Sequence, residues 1–125
     1  MFFRMFSVIF LSSSFLSSFS GVDSLPSSEF PSSPVDKILL VDVYHEFKYP
    51  YEMMESIKKA LRPNGKIFII EYRGEDPKVP IKKIHKMTEK QVVKEMKAIG
   101  LKLEVNMDNL PWQHCLIFEI DKKFK

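Results

Sequence analysis

Residues 37–72, KILLVDVYHEFKYPYEMMESIKKALRPNGKIFIIEY, decide the fold. Lys37 to Val43 is a continuous run of leucine and β-branched residues, the composition of a strand buried on both faces in a parallel sheet. From Tyr51 to Leu61 the period changes. Met53, Met54, Ile57, Ala60 and Leu61 recur at steps of three and four, so they share one helix face and leave Glu52, Glu55, Lys58 and Lys59 outside. Pro63-Asn64-Gly65 stops that helix, and the turn feeds Lys66 to Tyr72, where Ile67 to Ile70 make a second buried run. Strand, helix, strand with short connections is a right-handed crossover unit, so the two strands are expected to be parallel.

Downstream, Arg73 to Lys86 is polar, contains Pro77 and Pro80 and has no clear period. A loop of this length in a compact domain is often functional. Thr88 opens the next helix, with Gln91 three residues on as in a capping box. Val92, Val93, Met96 and Ile99 face the core, and Gly100 supplies a left-handed stop. Leu101, Leu103 and Val105 alternate with polar neighbours, as do Leu116, Phe118 and Ile120, with turn chemistry at Asp108-Asn109 between them. This is the pattern of two antiparallel strands. The expected order is strand, helix, strand, helix, strand, strand.

Upstream, composition changes abruptly near Pro34, where a Ser-, Phe- and Pro-rich stretch gives way to regular hydrophobic periods. The expected organisation is a signal-like apolar segment over 1–20, a disordered linker over 21–34 and a folded domain over 35–125. Arg4, the apolar run from Met5 to Phe19 and the small-x-small Ser18-Phe19-Ser20 are features of a secretory signal. The run is too short and too serine-rich for a membrane span, which needs about 20 apolar residues. The alternative reading is sequence from a misplaced start or a disrupted reading frame.

The chain's 125 residues suit one domain, and 45% apolar with 28% charged residues is ordinary for a globular one. A net charge of +3 with no basic stretch interleaved with aromatics gives no nucleic-acid signature. Cys115 is the single cysteine, so no intramolecular disulfide forms, and no Cys/His cluster has zinc-ligand spacing. Stability must come from a hydrophobic core.

Four stretches carry a resemblance. They are Asp36 to Glu46 (DKILLVDVYHE), Ala60 to Lys66 (ALRPNGK), Arg73-Gly74-Glu75-Asp76, and Leu110-Pro111-Trp112-Gln113-His114. Together, over roughly residues 35–120, they resemble the C-terminal half of the class I S-adenosylmethionine-dependent methyltransferases, a Rossmann-like α/β fold ending in an antiparallel hairpin. The resemblance implies a partial sheet lacking the first three strands, S-adenosylmethionine as cofactor and methyl transfer to an unidentified, small-molecule or other acceptor. It places the crevice at the carboxyl ends of the parallel strands. Asp42, Val43 and Tyr44 then border the cofactor, and Glu71, Tyr72, Arg73, His85, Trp112 and His114 become candidates for the substrate pocket.

His45 and Glu46 are the catalytic candidates, His45 because neutral imidazole accepts a proton near pH 7. The plainer reading makes His45 a strand-exit residue, Tyr44 and Trp112 packing residues and His85 a solvated loop residue. Lys78, Lys82, Lys83 and Lys86 suit an anionic substrate or a solvated face alike. A metal centre on His45, His85 and His114 is set aside, since they come from three elements with no spacing signal. No metal is expected.

One departure weighs against a self-sufficient enzyme. The family's glycine-rich turn has no counterpart, because the glycines are Gly21, Gly65, Gly74 and Gly100 and no G-x-G exists. Without the preceding strands, Lys37 to Val43 is expected to be an exposed apolar edge. A partner chain covers it, the N-terminal segment folds over it, or the product is unstable. The alternative function is accordingly a non-catalytic interaction module. The cofactor implies a cytoplasmic location, and residues 1–20 the alternative of an exported or membrane-associated protein.

Overall fold

The computed structural model describes residues 8–12 and 34–124. Its elements are β1 (Val8–Ser12), β2 (Val35–Val41), α1 (Pro50–Ala60), β3 (Leu61–Arg73), β4 (Lys86–Met87), α2 (Glu89–Ala98), β5 (Leu101–Asn106) and β6 (Gln113–Ile120). Short 3-10 turns lie at Tyr44–Glu46 and Lys83–His85. The strands form one six-stranded sheet in the order β1-β2-β3-β6-β5, with β4 paired to β3 off this path. β1, β2 and β3 are parallel, and β6 runs antiparallel to both β3 and β5. This is a partial Rossmann-like sheet with the expected terminal hairpin.

Two expectations are resolved. The first concerns the apolar edge Lys37 to Val43, which meets the N-terminal one of its expected outcomes: β1 pairs in parallel with β2 from Val8–Lys37 to Ser12–Val41. Part of the segment read as a leader is therefore a sheet strand, and its run Val8-Ile9-Phe10-Leu11 has the strand composition to be one. The remaining residues of 1–20, and 21–33 of the expected linker, lie outside the described residues. The second concerns burial. In β2 it alternates, with Ile38 and Leu40 fully buried and Leu39 and Val41 half-buried. Both helices pack on the face that carries Ile38, Leu40, Ile67, Ile69, Leu116 and Phe118, through Met54, Ile57, Val92, Met96 and Ile99. Each of these fully buried side chains contributes about 1.5–3 kcal/mol.

The turn expected at Pro63-Asn64-Gly65 is accommodated inside β3. Leu61 pairs with Val35 and Lys66 with Lys37, so the intervening residues bulge out of the ladder. Gly65 is needed there, because a Cβ would lie 2.4 Å from Leu61 Cδ1 and 2.9 Å from the Asp36 carbonyl oxygen. The start of α2 is as read from sequence: the Gln91 amide donates to Thr88 Oγ1 (3.2 Å). Gly100 ends it at φ 79°. Among the described residues no helix is long and apolar enough to cross a membrane.

Candidate active site

Because β2 and β3 are parallel neighbours, their carboxyl ends open on the same side, where open α/β sheets bind ligands. The chain leaves β2 through Asp42 at φ 50°, a left-handed conformation that Asp visits more readily than most non-glycine residues. The Asp42 amide donates to the Ile70 carbonyl (2.8 Å), which ties this exit to β3. Asp42 Oδ1 is buried and lacks a hydrogen-bond partner among the described residues. Burial first, then the nearby Glu71 carboxylate, push the Asp42 carboxyl up to about 6.

The next two residues turn inward. Val43 and Tyr44 are buried, and the Tyr44 hydroxyl donates to Glu95 Oε2 on α2. Burial and that hydrogen bond hold the phenol well above its ordinary pKa. Of the three residues expected at the cofactor, Asp42 is the one whose side chain keeps an unengaged polar atom among the described residues.

His45 points back at β3. Strand alternation puts Glu71 on the same face as Ile67 and Ile69, where it is fully buried. The Glu71 carboxylate accepts from the His45 amide at Oε1 (3.2 Å) and from the His45 ring at Oε2, 2.7 Å from Nδ1. Nδ1 thus carries the proton and Nε2 keeps its lone pair. The Glu71 hydrogen bond raises the pKa of His45 against the opposing effect of burial. Around Nε2 stand Glu46 Oε1 at 3.7 Å and His85 Nδ1 at 3.3 Å. The two imidazoles meet edge to face, with centroids 5.3 Å apart and planes at 70°.

The structure thus gathers Asp42, His45, Glu46, Glu71 and His85. The other candidates lie elsewhere. The Arg73 guanidinium donates to Asp108 Oδ1 (2.7 Å) and to the carbonyls of Leu110 (2.9 Å) and Pro111 (3.1 Å), so it clamps the β5–β6 connection. Tyr72 alternates away from Glu71, and Trp112 is half exposed. His114 is buried in a second network, its Nε2 2.8 Å from Glu75 Oε2 and its Nδ1 3.1 Å from the side-chain Nδ2 of Asn106. Of the three histidines set aside as a metal set, two are adjacent and the third is engaged elsewhere. Glu75 was not singled out in the sequence. It accepts from His114 and, at Oε1, from the Glu89 amide (2.6 Å) at the start of α2. Its only sequence signal was membership of the Arg73-Gly74-Glu75-Asp76 stretch.

No family model matches the chain, and no curated protein matches it. Solved structures do. A protein assigned to the type 11 methyltransferases from Sulfolobus solfataricus superposes with a TM-score of 0.68 at 20% identity, over 80% of this chain and 58% of that one. A SAM-dependent methyltransferase from Aquifex aeolicus gives 0.67 at 19% identity, over 81% and 52%. LepI, solved in complex with SAM, gives 0.60 at 14% identity, over 94% and 36%. This chain thus spans between half and three-fifths of the first two structures. At such identities the likeness is one of fold, and the fold is that of methyltransferases.

S-adenosylmethionine is a cation at its sulfonium and ammonium centres. The carboxylates of Asp42, Glu46 and Glu71 supply a matching negative field at the strand ends, and the unpartnered Asp42 Oδ1 is an acceptor that a ligand N–H or O–H would satisfy.

Proposed function

We propose that the chain takes part in methyl transfer from S-adenosylmethionine to a nucleophilic acceptor, with His45 on the acceptor side. The observation that carries this reading is the His45–Glu71 pair, set at the carboxyl ends of two parallel strands in a methyltransferase-like sheet. S-adenosylmethionine supplies an electrophilic methyl group when bound. The chain's own task is then to orient the acceptor and remove its proton. His45 Nε2 takes the proton from an acceptor O–H or N–H, and the imidazolium that results is stabilised by Glu71 at Nδ1. Asp42 holds a donor group of the cofactor, and Glu46, with a more exposed carboxylate, steers cations to the rim.

Isothermal titration of the full chain with S-adenosylmethionine and with its demethylated product tests this reading. Saturable micromolar binding is the expected result, followed by loss of methyl transfer in His45→Gln. A folded sample that binds neither compound would overturn it.

A second reading is favoured by one observation. After β1 the chain reads Ser13-Ser14-Phe15-Leu16, with no glycine before Gly21, where the resembled family has its glycine-rich turn. This supports a non-catalytic module, or a half-site that a partner chain completes. Absence of binding by the folded chain, restored by a second chain bearing a glycine-rich turn, is the outcome that selects the partner form.

A further inference from the structure

His45 Nε2 and His85 Nδ1 face each other from turns forty residues apart, and Glu46 presents its carboxylate to the same point. The ligating atoms of these three residues lie within 4.8 Å of one another. The two nitrogens are 3.3 Å apart, and Nε2 is 3.7 Å from Glu46 Oε1. Two nitrogen ligands held at about 2.0–2.1 Å from a tetrahedral ion are themselves about 3.3–3.4 Å apart, which is the spacing found here. We propose that His45, Glu46 and His85 form a binding site for a divalent transition-metal ion of the zinc class.

Three further features support the site. Metal-bound imidazoles commonly donate their other ring N–H to a carboxylate, which fixes the tautomer and aims the lone pair. Glu71, fully buried and 2.7 Å from His45 Nδ1, is such a carboxylate. The surroundings are electronegative, since Glu71, Glu46 and the unpartnered oxygen of Asp42 stand close by. The donor set of two imidazoles and one carboxylate suits zinc and its first-row neighbours, not calcium or magnesium. Three protein ligands also leave an open position, as catalytic zinc sites do. This inference does not depend on methyl transfer. An ion on Nε2 would occupy the lone pair a base needs, so the metal-bound and metal-free chain are alternative states, and base action by His45 belongs to the metal-free one.

The plain alternative is a hydrogen bond from His85 to His45 beside an ordinary ion pair of Glu46 with the His45 ring. The test is titration of the metal-stripped full chain with ZnCl2 by calorimetry, and with Co2+ by visible absorption. One ion per chain and a tetrahedral Co2+ spectrum are expected. His85→Ala, on an exposed turn whose loss leaves the core intact, weakens binding about tenfold or more, and Glu71→Gln weakens it about 10–100-fold through the ring it orients. His114→Ala leaves it unchanged. Failure of the folded wild-type chain to bind Zn2+ saturably, or tight binding that persists in His85→Ala, overturns the proposal.

Discussion

Among the described residues, the Glu71 carboxylate accepts both of its side-chain hydrogen bonds from one residue, the His45 amide on Oε1 and the His45 ring on Oε2. The pair fastens the exit of β2 to the end of β3 in the fully buried position of Glu71.

Removing the ring should therefore harm the fold through the partner left behind. His45→Ala leaves a buried carboxylate short of one donor and is expected to cost about 3 kcal/mol or more. Replacing both residues, as in His45→Ala with Glu71→Leu, removes the stranded charge and should recover much of that loss. Urea denaturation of wild type, single and double variants measures the coupling. Equal midpoints for His45→Ala and the double variant would refute it.

Glu75 predicts a pH dependence. Burial tends to raise its carboxyl, but the Glu89 amide and the His114 ring outweigh that and hold it below the ordinary range. A carboxyl lowered on folding contributes stability above its unfolded pKa and loses it as pH falls through the lower native value. Stability at α2 should thus decline below about pH 4.5. Glu75→Gln should flatten that decline and cost about 1 kcal/mol at pH 7, as loss of a helix cap does. Thermal melts of both proteins from pH 3 to 7 check it.

Gly100 is the position where backbone conformation forbids substitution. Its φ of 79° and a Cβ that would lie 2.6 Å from the Phe124 ring act in the same direction. Gly100→Ala is expected to destabilise by about 1–2 kcal/mol, most of it from the left-handed backbone. Combining it with Phe124→Ala relieves only the contact, so a complete rescue by the second change would show that the backbone was not the cause.

Deleting residues 1–20 strips β1 from β2 and opens an apolar edge at Val35–Val41. The shortened chain is expected to associate with concentration, because unpaired flat edges recruit other strands. Sedimentation velocity over a tenfold concentration range distinguishes this from a chain that needs no cover there.

The periods of residues 37–72 made the parallel crossover legible, because helix and strand impose different spacings that apolar residues must follow. The α2 cap at Thr88 and its stop at Gly100 were legible for the same local reason. Pairing of β1 was not. Ser12, Ser13 and Ser14 interrupt the apolar run and mimic a leader's composition, and nothing local announces a partner 29 residues on. The site was legible in part. His45 stood out at a strand exit, whereas His85 meets it through the fold of a proline-containing loop without period. Arg73 read as a pocket residue, and only tertiary structure shows its guanidinium clamping Asp108, Leu110 and Pro111.

The placement of β6 bears on how the protein is made. The last of the described strands, Gln113–Ile120, lies between β3 and β5 in the sheet. Until those residues leave the ribosome, nascent β3 has no antiparallel neighbour and β5 no partner at all. The native sheet therefore closes only once β6 has been made. Until then the backbone of β3 along Ile67–Tyr72 lacks the strand that pairs with it, the kind of open edge that favours association of incomplete chains.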